Sequence, residues 1–196
     1  MRNSSGRKKM FRCIGATLLI FALASCGGQK AQTEGTAEPE KAAAPTAKLA
    51  KSYSKVLCYG FTGTPEVSKD YPTAAADVQH SMLTALGTKN SFKEVGVAKG
   101  GKTDAQTLLV KANITQVRIV SGAARFWGGA MAGRSNVALD LQLIDGGTQK
   151  VVHAEKLSTA NNPMAAAWTG GSTDHSLLSD MGKIVAEYIM AVNPAK

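Results

Sequence analysis

Three histidines and one interior cysteine are the side chains of this sequence most able to do chemistry. They are His80, His153, His175 and Cys58. Their spacing does not match the short intervals that separate zinc ligands, and the sequence holds no GxSxG, HExxH or CxxC motif. Serine, histidine and aspartate all occur, but their presence alone does not make a triad. The sequence therefore predicts no catalytic residue, no metal site and no cofactor.

Several of these side chains have a structural explanation. Cys58 lies in the apolar run 55–61, which is typical of a buried strand, and we expect it to be a small core residue. His153 is expected at the surface or at a sheet edge. Asp174 and His175 lie where the last helix should begin, and capping explains an aspartate there. The alternative is a hydrolase that uses Cys58, or a serine beside a histidine in a cleft.

A glycine-rich segment comes close to a phosphate-binding loop. Residues 128–135 nearly fit GxxxxGK[ST], in which backbone N–H groups and a helix N-terminus converge on phosphates. Arg134 stands in place of the lysine, and Ser135 leads into an alternating strand and not into a helix. We therefore expect no nucleotide to bind.

A different chemistry is predicted near the start of the chain, at Leu23-Ala24-Ser25-Cys26. This stretch follows a basic start and the apolar run Cys13–Leu23, which is too short to span a membrane. It resembles the lipobox of bacterial lipoproteins, and this resemblance implies cleavage after Ser25 and attachment of diacylglycerol to Cys26. Gly27 then favours the outer membrane. The alternative is an ordinary signal peptide with an unmodified Cys26.

This assignment divides the chain into three parts. Residues 1–25 are a signal peptide, 26–52 a lipid anchor and flexible tether, and 53–196 a single α+β periplasmic domain. The signal peptide holds five of the 23 basic residues and no acid, which leaves 18 basic and 14 acidic residues. A mature net charge of +4 without a basic block excludes nucleic-acid binding. Only Cys58 remains in the domain, so an internal disulfide is excluded.

Hydrophobic periodicity predicts the elements of the domain. Helices are expected from Pro72 to Gly87, with His80 facing water, and from about Asp174 to Val192. Strands are expected over 55–61, 92–97, 107–120, 135–144 and 150–157, with polar or glycine-rich loops over 63–71, 122–134 and 158–171. The apolar parity changes near Thr115-Gln116, which predicts a β-bulge. The fold class is α+β, a two-layer sandwich with a mixed, mostly antiparallel sheet of about five strands and two helices on one face.

Two tryptophans lie in the predicted loops, and each has two interpretations. Trp127 and Trp168 could cover open ends of the sheet core. Alternatively they form a contact surface with Arg125 and Arg134, since tryptophan and arginine are enriched at interfaces.

From Leu108 to Asn193 the chain resembles a domain-of-unknown-function group of bacterial lipoproteins. The residues that carry the resemblance are 126–135 and 137–145, followed by the return strand and the terminal helix. The group is similar in fold to the curli secretion lipoprotein, the TolB amino-terminal domain and an outer-membrane activator of penicillin-binding proteins. It brings no catalytic residues.

The function expected from these observations is that of a non-catalytic binding or assembly module. Acylated Cys26 would hold it in the inner leaflet of the outer membrane, facing the periplasm, where it meets an unidentified envelope protein. The alternative is a subunit of an oligomeric outer-membrane secretion complex, for which residues 135–144 could supply a membrane strand.

Overall fold

The computed structural model describes residues 47–101, 103–161 and 172–194. The stretch from Leu23 to Cys26, most of the predicted tether, and Trp168 lie outside the described residues. No helix in the described ranges is long and apolar enough to cross a membrane.

The centre of the domain is a mixed sheet. Its strands are β1 (Lys55–Cys58), β2 (Thr62–Gly63), β3 (Glu94–Val97), β4 (Thr107–Arg118), β5 (Asn136–Asp145) and β6 (Val151–Ala160). The order is β3-β1-β4-β5-β6, and the two-residue β2 also pairs with β4. β1 runs parallel to β3 and β4, whereas β4, β5 and β6 form a longer antiparallel meander.

The helices are α1 (Pro65–Asp70), α2 (Ala74–Lys89), α3 (Gly122–Gly128), α4 (Ser172–His175) and α5 (Leu177–Val192), and a 3-10 turn follows α3 over Gly129–Ala132. The two long helices, α2 and α5, pack against each other and cover one face of the sheet. Alternate residues of β5 point into this layer, because strand side chains alternate between faces. They are Val137, Leu139, Leu141 and Leu143, all buried. The predicted α+β two-layer sandwich is confirmed.

Close packing of α2 on α5 depends on Gly182. A Cβ at this position would lie 2.6 Å from the Ser81 Cβ and from the Val78 carbonyl oxygen. The absence of a side chain therefore lets the two backbones approach. Ser81 uses this proximity to donate a hydrogen bond to the Ser179 carbonyl at 2.6 Å.

The predicted bulge lies where the apolar parity changes. The register between β4 and β5 shifts between Ile114 and Gln116. Ile114 is buried on the helix side, and Gln116 is exposed. The extra residue in β4 lets this long strand pair with β5 on both sides of the bulge. The predicted bulge is confirmed.

Some predicted boundaries were wrong. Residues 65–70, predicted to be a loop, form α1, because Thr64 caps it by accepting from Val67 N and Pro65 occupies the first turn. α2 does not end at Gly87 but continues to Lys89, and Asn90 then adopts the left-handed conformation at φ 49°. β6 continues to Ala160, beyond the loop predicted from residue 158.

Candidate functional site: an exposed apolar tip

The most conspicuous exposed feature of the described residues is a group of three large apolar side chains on α3 and the 3-10 turn. Phe126 is 80%, Trp127 86% and Met131 96% exposed. The two aromatic rings pack edge to face with centroids 5.2 Å apart. We call these three residues the apolar tip. Large apolar side chains grouped on a surface indicate a contact site, whereas single ones are common on any protein.

Local sequence explains why the tip stands out from the sheet. Ser121 caps α3 by accepting a hydrogen bond from Ala124 N at 3.2 Å. Gly129 and Gly133 have φ values of 51° and 94°, a region that favours glycine, and they turn the chain at each end of the 3-10 turn. The loop prediction for residues 122–134 was therefore wrong, because this segment forms a short helix followed by a 3-10 turn.

The tip rests on a buried arginine. Arg125 is only 2% exposed, although its two neighbours Phe126 and Trp127 point outward. Its Nε donates to Asp174 Oδ2 at 3.0 Å and its Nη2 to Asp174 Oδ1 at 3.1 Å. Its Nη1 also donates to the Gly133 carbonyl at 2.6 Å. One side chain thus joins α3, the chain that leaves the 3-10 turn, and α4.

Asp174 is the centre of this buried group. Its side chain is fully buried and accepts further hydrogen bonds from Ser135 Oγ at 2.5 Å and from the side-chain amide of Asn161. Burial raises the pKa of this carboxyl, but donors from Arg125, Ser135 and Asn161 outweigh burial and hold the pKa below its usual value. Asp174 therefore stays ionised opposite Arg125. Its predicted capping role was wrong, because the side chain serves this network.

The network reaches the ends of three strands. Ser135 precedes β5 and its Oγ accepts from Val120 N, just after β4, at 2.8 Å. Asn161 follows β6, and its Oδ1 accepts from Ser135 N at 3.0 Å. These contacts hold the tip on a rigid base. Because Ser135 is fully buried and its described partners include no histidine, its geometry does not fit a nucleophile.

Positive charge accompanies the tip. Arg118 and Arg134 are exposed on either side of it in sequence, and Gly133 packs against the Arg118 guanidinium. No acidic residue occurs between Asp104 and Asp140. The charge of Arg125 is compensated by Asp174, which leaves Arg118 and Arg134 as the exposed charges next to the tip in sequence, and Glu66 and Asp70 of α1 line a pocket with Gln116 and Val117 beside Arg118.

The predicted contact residues have different outcomes. Arg125 was wrongly assigned to an exposed surface, because it is buried against Asp174. Trp127 does not cover the sheet core, since its ring faces solvent. Arg134 is exposed, as a contact residue must be. Trp168, like Cys26, lies outside the described residues.

The other candidate side chains do not form a reactive centre. Cys58 is fully buried, and burial raises the pKa of its thiol to about 12, so it is a core residue as predicted. His80 is exposed, as predicted, in a groove of about 670 Å³ between α2 and α5 that His175 also lines. Among the described residues, no cluster of histidine, cysteine, aspartate or glutamate could hold a metal ion.

His153 lies at a sheet edge, as predicted, and its side chain is partly buried. It lies on edge strand β6 but faces the helix layer, where its Nε2 is 2.6 Å from the Tyr188 hydroxyl. Tyr188 in turn donates to Glu155 at 3.2 Å. Burial, with the charge and hydrogen bond of Glu155, raises the pKa of Tyr188 to about 12. These contacts fasten β6 to α5.

The described part of the chain is thus a small α+β domain in which two helices cover one sheet face and a buried ion pair lies beneath an exposed apolar tip. The chain belongs to the family described as domain of unknown function DUF4410, whose model matches residues 32–192. The predicted membership of a domain-of-unknown-function family is thus confirmed, over a longer stretch than expected. No curated protein matches the sequence.

Three solved structures illustrate what the fold is similar to. The PelC dodecamer from Paraburkholderia phytofirmans is 12% identical, with 78% of this chain and 96% of that chain covered at a TM-score of 0.49. XCC0632 from Xanthomonas campestris, a DUF330 protein, is 9% identical, with 76% and 89% covered at 0.46. A minor lipoprotein from Acinetobacter baumannii is 11% identical, with 71% and 94% covered at 0.36. At these identities and scores the likenesses assign no function to this chain.

Proposed function

We propose that the chain is a lipid-anchored lipoprotein of the cell envelope that acts as a non-catalytic binding or assembly module. The observation that carries the proposal is Leu23-Ala24-Ser25-Cys26 directly after a basic start and an apolar run. Acylation of Cys26 with two or more chains would hold the protein stably, since a single chain binds only marginally. Gly27 supports a place in the inner leaflet of the outer membrane, facing the periplasm.

The described domain supports a binding role over a catalytic one. Its cysteine and the serine beside Asp174 are both inaccessible, and the Arg125–Asp174 pair is used internally. What the domain presents to its surroundings is the apolar tip. A module of this kind needs an anchor, a spacer and a contact surface, and the chain has a candidate for each.

The role as a secretion-complex subunit gains no support from β5. Its apolar residues, such as Leu141, are buried beneath the helices. Residues 135–144 would have to leave that core before they could face lipid.

Fractionation of the Cys26→Ser variant tests the proposal. The variant should move from the outer-membrane fraction to the soluble periplasmic fraction, because serine cannot form the thioether to diacylglycerol. Cys58→Ala is the matched control, since it removes the other thiol of the mature chain and should leave the protein in the membrane. Retention of Cys26→Ser with the membrane would refute the anchor.

A further inference from the structure

We infer that the apolar tip docks on a phospholipid surface that carries anionic headgroups. The inference rests on the proposed anchor at Cys26, because it places the tip against the bilayer to which the chain is attached. It goes further by naming what the tip contacts. The residues concerned are Phe126, Trp127 and Met131, with Arg118 and Arg134 beside them.

The composition of the tip fits lipid better than protein. Residues 122–133 read Gly-Ala-Ala-Arg-Phe-Trp-Gly-Gly-Ala-Met-Ala-Gly. Arg125 is the only charged side chain among them, and it is buried. Protein interfaces surround their apolar centre with polar groups and make about one hydrogen bond per 100–200 Å². The exposed side chains of this segment offer one hydrogen-bonding group, the Trp127 indole N–H, and the boundary of a bilayer accommodates an indole, a phenyl ring and a thioether together.

The charge of the neighbouring residues favours an anionic surface. Arg118 and Arg134 are exposed, and the sequence from 105 to 139 contains no acid. Glu66 and Asp70 of α1 line a pocket with Gln116 and Val117, next to Arg118, so Arg134 is the arginine farther in sequence from these acids. Residues 162–171, which lie outside the described ranges, contain no charged side chain. Basic side chains next to a membrane gain free energy from anionic headgroups, while their long stems lie along the apolar boundary.

The length of the tether allows the tip and the anchor to reach one membrane. The described chain begins beside the end of α5, where Leu49 N donates to the Val192 carbonyl at 2.8 Å. Asp174, under the tip, lies just before the start of α5, so the length of that helix, about 24 Å, separates the two ends. Twenty residues, 27–46, separate Cys26 from the described part of the chain. Because an unstructured chain of twenty residues spans roughly 25 Å, this number of residues is of the order needed for the proposed anchor and the tip to meet one bilayer.

Fluorescence quenching in a reconstituted membrane tests the inference. The lipidated full-length mature chain with Trp168→Phe, which leaves Trp127 as its sole tryptophan, is placed in vesicles of phosphatidylethanolamine and phosphatidylglycerol. A fraction of the phospholipid carries bromine on its acyl chains. We expect a blue-shifted Trp127 emission that loses intensity with brominated lipid, and a smaller loss when phosphatidylcholine replaces phosphatidylglycerol. Emission typical of a water-exposed indole, unchanged by bromine, would overturn the inference.

Two variants make the readout specific. Phe126→Asp combined with Met131→Asp should abolish the quenching, because charges at these positions resist burial in the bilayer. Val151→Asp combined with Val152→Asp is the matched control, since both valines are exposed on β6, and it should leave the quenching intact. Equal quenching in all variants would contradict a role for the tip.

Two further measurements distinguish failure of the lipid anchor and self-association through the tip from binding of the tip to lipid. Flotation of vesicles that carry the Phe126→Asp, Met131→Asp variant reports the anchor without the tip, so a variant that fails to float disproves the proposed function independently of the tip. Light scattering in detergent reports self-association. A shielded Trp127 that bromine does not quench, in a protein whose mass is a multiple of the monomer, would assign the tip to a second copy and overturn the lipid inference.

Discussion

Arg125 and Asp174 lie 49 positions apart and meet in a fully buried ion pair with hydrogen bonds of 3.0 and 3.1 Å. Arg125 belongs to the helix that carries the apolar tip, and Asp174 to the short helix before α5. This ion pair connects the helix that carries the apolar tip to the interior of the domain. The presentation of the tip therefore depends on two residues that are themselves buried.

Replacing Arg125 with methionine should strongly destabilise the domain. The change leaves Asp174 buried without its charge partner, and breaking a buried pair in this way costs about 3–5 kcal/mol. Urea unfolding followed by circular dichroism measures the loss of unfolding free energy.

The double variant Arg125→Met with Asp174→Leu is the control for this prediction. It removes both charges together, and apolar replacements of a buried pair are often tolerated, so it should be clearly more stable than Arg125→Met alone. A double variant as unstable as the sum of the single losses would show that the two residues do not act as a pair.

The ion pair also shows how far the sequence could predict the site. Alternation in β5, the apolar stripe of α5 and the parity change in β4 are local patterns, so the layers and the bulge near Gln116 followed from them. Arg125 stands between Ala124 and Phe126 in a glycine-rich segment, and nothing local distinguishes a buried arginine from an exposed one. Its partner is remote in sequence, and only the folded chain brings them together. An isolated acid at a helix start was for the same reason taken for a cap.

Alanine substitutions at two glycines, one in α5 and one in α2, should have opposite effects on stability. Gly182→Ala should destabilise by about 1–3 kcal/mol, because the new methyl would overlap Ser81 and the backbone of α2. Gly87→Ala is its control, as a Cβ there meets nothing within 4 Å, and it should stabilise by roughly 0.5–1 kcal/mol through helix propensity. Thermal unfolding distinguishes the two. A neutral Gly182→Ala would mean that the helices are farther apart than described.

The thiol of Cys58 should be inert in the native protein. Burial keeps it protonated, with a pKa of about 12, and a thiol without solvent contact does not reach an aromatic disulfide reagent. Thiol titration of the Cys26→Ser form at pH 8 should detect no free thiol in buffer and one in guanidinium. Rapid native labelling would contradict the buried assignment and revive a nucleophilic role.

Lowering the pH should reduce the free energy of unfolding, because two buried carboxylates become protonated. Hydrogen bonds from Lys51 and from the backbone of Thr148 hold the pKa of Asp145 far below its usual value, and Asp174 is also lowered. Because the unfolded chain binds these protons first, the stabilisation is full above the usual aspartate pKa of about 3.9 and is lost as the pH falls below it. Urea midpoints between pH 3 and pH 6 measure this loss. Asp145→Asn should flatten the dependence, and an unchanged slope would exclude Asp145 as its source.

The proposed lipoprotein begins its mature chain at an acylated Cys26. Intact mass spectrometry of the membrane-extracted protein measures this modification. The expected mass corresponds to residues 26–196 plus a diacylglyceryl group, with any further acyl chain on the new N-terminus. A chain that starts at an unmodified Cys26, or that still carries the first 25 residues, would contradict it.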